Sequence, residues 1–169
     1  LRKYHDATVS FAQNERCENL DWMLPARKPY EVICHGDYAP YNVALSGDHV
    51  VGIFDFDTAH PAPRIWDIAY AVYCWAPFKT SPNDALGSLP QQISRAKQFC
   101  DSYGLPQQER SQLVDIMILR VQTLIDFMRS EAEKGNQAFI NNIKDGHHLA
   151  YLNDIDYLKC NEHIIISNL

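Results

Sequence analysis

Asp37, Asn42 and Asp55 are the residues whose types and spacing point most directly to chemistry. Asp37 and Asn42 stand five apart in a turn-rich stretch, His35-Gly36-Asp37-Tyr38-Ala39-Pro40-Tyr41-Asn42, and Pro40 stiffens the path between them. Val43 to Leu45 and Val50 to Phe54 read as two β-strands, joined by a turn of Ser46, Gly47, Asp48 and His49. If Leu45 pairs with Val50, Asn42 falls opposite Ile53, and Asp55 lies just past the open end of the hairpin. An amide and a carboxylate are then held side by side, with a second carboxylate on the entering loop. Such a set suits a hard divalent cation such as Mg²⁺, which takes few protein oxygens and fills its shell with phosphate and water. Taken singly, Asp37 and Asn42 are equally good turn-capping residues; the chemical reading rests on all three together.

His35-Gly36-Asp37, four residues, Asn42, and then Asp55-Phe56-Asp57 after a hairpin resembles the catalytic core of the aminoglycoside phosphotransferase family. That family shares the protein-kinase-like fold, whose catalytic loop reads His-Arg-Asp, four residues, Asn, followed by a metal-binding Asp-Phe-Gly. Gly36 stands here in place of the Arg, and Asp57 in place of the Gly. The resemblance implies a phosphotransferase that uses ATP or GTP and Mg²⁺ and moves the γ-phosphoryl group to a small-molecule hydroxyl. It makes Asp37 the catalytic residue acting on the acceptor hydroxyl. It gives Asn42 and Asp55 to the metal, with Asp57 assisting, and assigns His35 and Asp67 to support of the loop. For Asp67 the plain alternative is capping of its own helix.

A rival exists in the same stretch. Val51 to Thr58 also fits an apolar strand followed by D-x-D-x-T, the first motif of haloacid dehalogenase-like phosphatases, with Asp55 as nucleophile and Asp57 as acid/base. The further Lys and carboxylates such enzymes need would have to be Lys144, Asp154 and Asp156. A third reading is a kinase-like lobe that binds without catalysing.

The elements that must position these residues follow from periodicity. Apolar or aromatic residues at 1, 4, 8 and 11 predict a helix from Leu1 to Phe11, on whose surface His5 and Asp6 form a pair. Asn14 to Lys28 is irregular, with Trp22 and Leu24 packing inward, and Glu31 to Cys34 is a short strand that delivers the loop. His60 to Arg64 reads as a rigid proline-rich loop. From Asp67 a helix runs through Trp75, apolar on nearly all sides and therefore buried. Pro77 to Pro90 is a surface loop, Gln91 to Tyr103 a helix ended by Gly104, and Gln107 to Lys134 the longest helix. That helix carries an apolar stripe at 113, 117, 121, 124 and 128. One or two further helices follow, interrupted near Gly146, with His147 and His148 as a surface pair.

The fold class expected is α+β, mostly helical, a kinase-like C-terminal lobe with a short catalytic hairpin. Residues 1–169 would form that single lobe, since no Gly-rich loop or lysine-bearing strand precedes the catalytic segment and the N-terminal nucleotide-binding lobe is absent. The chain alone is therefore expected to fold but not to turn over. A net charge of −6 argues against nucleic acid or an anionic membrane as partner. No stretch approaches the ~18 apolar residues of a span. Five unpaired-looking cysteines suggest a reducing, cytoplasmic setting. Asp126, Asp154 and Asp156 could meet a cationic acceptor. Exposure of Leu1, Tyr4, Tyr38 and Tyr41 on one face would favour a homodimer.

Overall fold

The computed structural model describes residues 1–14, 17 and 19–169 of the chain. Helix α1 (Arg2–Ala12) is followed by strand β1 (Val32–Cys34), a 3₁₀ turn at Pro40–Asn42, and the hairpin strands β2 (Val43–Ser46) and β3 (His49–Ile53). Strand β4 (His60–Ala62) leads into α2 (Arg64–Trp75), and then come α3 (Leu89–Tyr103), α4 (Gln107–Arg110), α5 (Leu113–Glu133), α6 (Gln137–Lys144) and α7 (His147–Ser167). The fold is α+β and mostly helical. Among the described residues, no helix is long and apolar enough to cross a membrane.

Helix α2 is the centre of the molecule, with Trp66 to Cys74 buried without a break. A helix apolar all round has to be enclosed, and α3, α5 and α7 contribute to the core around it through Ile93, Met117, Val121, Ile125, Leu158 and Ile165. Each fully buried side chain of this kind contributes about 1.5–3 kcal/mol relative to exposure. Helix α3 begins at a capping box, in which Ser88 and Gln91 satisfy each other's backbone groups, and ends at Gly104 with φ 78°.

Three elements depart from the pattern in the sequence. The segment His60–Ala62 is a strand, not a loop: it pairs antiparallel with β1, Val32 opposite Ala62 and Cys34 opposite His60. Two-stranded sheets have only edges, where a proline such as Pro61 costs least. The long helix expected from Gln107 is two helices, α4 and α5, parted at Ser111 and Gln112. Finally, the β2–β3 hairpin carries a bulge. Leu45 does pair with Val50, but Ala44 pairs with Gly52, so Val51 is an extra residue in β3. Asn42 is thereby carried opposite Phe54 rather than Ile53, and its carbonyl accepts the Phe54 N–H at 3.2 Å.

Candidate active site

The loop between β1 and the hairpin is fixed from three sides. From α2, the Asp67 carboxylate accepts the His35 N–H at 2.8 Å on Oδ2 and the Gly36 N–H at 2.9 Å on Oδ1. Asp67 lies one turn inside α2, whose N-cap is Pro63, so it does not cap its own helix. From α5, the buried Arg120 guanidinium donates to the Gly36 carbonyl and lies over the ring of Tyr70, 4.5 Å from its centroid. From the segment after β3, the Thr58 hydroxyl donates to the His35 carbonyl at 3.1 Å. Gly36 has φ 83°, and a Cβ there would meet the Thr58 carbonyl oxygen at 2.3 Å. Only glycine allows that approach.

His35 joins the loop to the end of the hairpin. Its Nδ1 accepts the Asp37 N–H at 3.2 Å, which leaves Nε2 as the protonated nitrogen, donating to the Phe54 carbonyl at 3.0 Å. The ring is fully buried, with Phe56 at a centroid distance of 4.7 Å. A second imidazole, His60, is also held by both ring nitrogens, but as the opposite tautomer: Trp66 Nε1–H donates to its Nε2, and its Nδ1–H donates to the Thr58 carbonyl. Burial pushes the His60 pKa below its ordinary value.

Asp37 and Asn42 meet directly. Asn42 is buried, and its Nδ2 donates at 2.9 Å both to the Asp37 carbonyl and to Asp37 Oδ2. The Tyr41 hydroxyl donates to Asp37 Oδ1 at 2.8 Å. Burial raises the Asp37 carboxyl pKa above its ordinary value, and the Tyr41 and Asn42 hydrogen bonds offset part of that rise. Asp55, just past the hairpin, takes a left-handed conformation with φ 68°, which an Asp tolerates better than most residues. Its carboxylate is exposed and has no hydrogen-bond or ion-pair partner among the described residues. Asp57 is exposed in the following turn. With its amide nitrogen spent on Asp37, Asn42 keeps Oδ1 for another partner. One amide oxygen and one open carboxylate are what Mg²⁺ needs from a protein when phosphate and water supply the rest. Among the described residues, no group of three His, Cys, Asp or Glu forms a closed metal cage.

His5 is the largest departure from the sequence reading. It is not on the helix surface but fully buried, with Nε2 2.9 Å from Asp67 Oδ2 and Nδ1 2.7 Å from the Tyr103 hydroxyl. Tyr103 in turn accepts from Arg64, which pairs with Asp6 at 2.8 Å. Burial alone would raise the Asp67 carboxyl. The His5 hydrogen bond and charge, with the two loop N–H groups, overcome it and hold the pKa at about 2. The signal for His5 was its place beside the apolar stripe of α1. Arg120, also missed, sits between Met117 and Val121 on the buried face of α5.

Asp154 is likewise not on a solvated face. It is buried, accepting from Tyr73 Oη at 2.6 Å and from the Thr80 N–H and hydroxyl at 2.6 and 2.7 Å. It is therefore unavailable to a cationic acceptor, or to the phosphatase arrangement with Lys144 and Asp156. Asp126 and Asp156 are exposed, the first bonded to Gln122 and the second near Lys159. Of the four residues expected on one open face, Tyr41 is 59% exposed but Tyr38 only 5%, stacked on Trp75. The exposed apolar surface here lies instead on the hairpin, at Leu45, Val50 and Val51, and beyond it at Phe54 and Phe56. Among the described residues, no disulfide joins any of the five cysteines.

Comparison with known proteins gives the chain a family. A family model described as the phosphotransferase enzyme family matches residues 2–103. The trifolitoxin immunity protein of Rhizobium leguminosarum bv. trifolii is 32% identical over 124 residues, 70% of this chain and 47% of that protein. An uncharacterized protein of Deinococcus radiodurans is 46% identical over 43 residues, 25% of this chain and 12% of its own. The chain thus spans about half the length, or less, of these relatives. No solved structure matches it significantly. The matched residues run from α1 through the loop at His35–Asn42 and α2 to the end of α3, and the chain belongs to the phosphotransferase enzyme family, with that family's kinase-like fold.

Proposed function

We propose that this chain carries the catalytic residues of a kinase that moves the γ-phosphoryl group of ATP or GTP to a hydroxyl of a small molecule. One observation carries the reading. Asn42 binds Asp37 through its side chain while its main-chain carbonyl takes the N–H of Phe54, so Asp55 follows directly on the residue that the Asn42 main chain holds.

In this reading Asp37 orients the acceptor hydroxyl and takes its proton. Asn42 Oδ1 and the Asp55 carboxylate hold Mg²⁺, with Asp57 assisting from the adjoining turn. The metal, when bound, neutralises charge on the phosphate oxygens. Everything else asked of the protein is positioning, which falls to His35, Asp67 and Arg120. The strands and lysine that cover the phosphates we assign to an N-terminal lobe beyond residues 1–169. A cytoplasmic setting, where Mg·ATP is at hand, suits this chemistry.

The complete gene product, given Mg·ATP or Mg·GTP and a panel of aminoglycosides, choline, homoserine, sugars and fructosamines, tests the proposal. Asp37→Asn is expected to lower kcat by about 10²- to 10⁴-fold, the usual share of general-base catalysis, with nucleotide KM little changed. Asp55→Ala is expected to abolish Mg²⁺-dependent nucleotide binding. Undiminished turnover in Asp37→Asn, or an aspartyl phosphate trapped on Asp55, would replace the kinase with the phosphatase reading. A protective role is a second reading, favoured by the 32% identity to an immunity protein. Survival of a sensitive strain expressing the gene, challenged with trifolitoxin or an aminoglycoside, tests it.

A further inference from the structure

Both oxygens of the Asp37 carboxylate already hold a proton donor, and the two donors are unlike. Asn42 Nδ2 is on Oδ2 at 2.9 Å, from a buried side chain also tied to the Asp37 carbonyl. The Tyr41 hydroxyl is on Oδ1 at 2.8 Å, from a side chain 59% exposed. The other ionisable groups facing Asp37 are His35 of the loop, Arg120 of α5, Tyr70 and Cys74 of α2, and Tyr151 of α7. Among the described residues, none of these donates to either carboxylate oxygen.

An acceptor hydroxyl that is to lose its proton to Asp37 must come within about 2.6–3.2 Å of one carboxylate oxygen. Reaching Oδ2 would mean pulling Asn42 from its buried place and, with it, disturbing the end of the hairpin. Reaching Oδ1 requires that the Tyr41 hydroxyl leave Asp37 and the neighbouring Tyr70 hydroxyl as its exposed ring turns outward. The exchange replaces one O–H donor on a charged oxygen with another, so its net cost is small. Each carboxylate oxygen carries two lone pairs, and the phenol holds one of the two on Oδ1, the oxygen that the acceptor's hydroxyl can reach.

We infer that Tyr41 is a gate on the catalytic base, whose hydroxyl stands in for the acceptor until an acceptor displaces it, and which keeps water from that position meanwhile. This rests on the kinase reading above. The reaction held back is hydrolysis of the nucleotide. A water oxygen would bond to the γ-phosphorus as the bond to the β–γ bridging oxygen breaks. ADP would leave with the electron pair, and the water's proton would pass to Asp37 Oδ1. A phenol on Oδ1 takes up one lone pair and lowers the basicity of that oxygen, so water finds a weaker proton acceptor there; a small-molecule alcohol that binds the lobe by its other groups can still displace it.

The test uses the complete gene product, as wild type and Tyr41→Phe, which keeps the ring and removes the donor. Phosphate release from Mg·ATP without acceptor is expected to rise about tenfold, the worth of one net hydrogen bond. In parallel, urea unfolding of the nucleotide-free protein gives a double-mutant cycle with Asp37→Ala. Tyr41→Phe is expected to lower the urea midpoint when Asp37 is present and to leave it unchanged when Asp37 is absent. Absence of coupling overturns the gate, because the contact is then not made in solution. Coupling with unchanged or slower phosphate release also overturns it, since the phenol then holds back nothing. So does a phosphate found on Tyr41 by intact mass, which would make the phenol an internal acceptor. No turnover in either protein, with the coupling present, overturns the kinase reading itself and the gate with it.

Discussion

The imidazole of His5 and the carboxylate of Asp67 lie 2.9 Å apart with neither side chain exposed to solvent. The first belongs to the entry helix and the second to the central helix, and the same carboxylate holds the N–H groups of His35 and Gly36 in the loop after β1. The two helices and the loop thus meet on one buried acid. Such a group stabilises only while all its partners are in place.

Removing one partner should therefore cost more than a surface substitution. His5→Ala is expected to lower unfolding stability by about 3–5 kcal/mol, as for other broken buried pairs. His5→Gln, which keeps one donor, should lose less. Urea denaturation of the two variants checks the order, and equal losses would show that the hydrogen bond to Asp67 contributes nothing beyond volume.

The depressed carboxyl of Asp67 fixes the sign of an acid effect. Its pKa is about 2 when folded, against 3.8 for the ordinary group. The folded state binds this proton more weakly than the unfolded state, so the contribution is complete above about pH 4 and fades as the pH falls toward 2. Unfolding free energy measured across that window should fall more steeply for the wild type than for Asp67→Asn. Parallel curves would place the acid sensitivity elsewhere.

Gly36→Ala is expected to be severe for its size. The left-handed backbone and the 2.3 Å approach of the Thr58 carbonyl act together, and the conformational part alone costs about 1–2 kcal/mol. A loss of at least ~2 kcal/mol in urea unfolding is expected. Thr58→Ala, which removes the hydroxyl but not the carbonyl, should not rescue it.

Asp154→Ala should destabilise the loop before α3 as well as the core. It leaves the Tyr73 hydroxyl and the Thr80 N–H without their acceptor, at about 1–3 kcal/mol for each buried group left unpaired. Hydrogen exchange at Thr80 is expected to quicken in the variant. Unchanged exchange would mean that the carboxylate does not anchor this segment.

How much was legible in the sequence follows from how far apart the partners stand. Asp37 and Asn42 could be grouped because their contact is made inside one short loop, and the course of the chain to Asp55 could be followed because the hairpin before it is local. The buried nature of α2 was legible for a similar reason, since its unbroken apolar run is a local signal. His5 acts on residues 62 and 98 positions away, Arg120 on one 84 away, and Asp154 on two 74 and 81 away. A polar residue whose partner is supplied by a distant helix looks like a solvated one until the chain is folded. The strand at His60–Ala62 was hidden because its pairing to β1 is non-local and its prolines argue for a loop. The break between α4 and α5 carries neither glycine nor proline to announce it. The register of the hairpin was one residue off for a subtler cause: alternation fixes faces, but nothing in it marks Val51 as surplus.

That surplus residue makes the hairpin unequal in its tolerance of insertions and deletions. Residues added between Gly47 and Asp48 only lengthen the tip and leave the pairs from Val43–Ile53 upward in place. Loss of Val51 would leave Ala44 opposite Gly52 and Val43 opposite Ile53 in a regular ladder, removing only the kink and added twist of the bulge. Loop length can drift at the tip of this ribbon, and β3 alone can give up one residue while Asn42 keeps its place opposite Phe54.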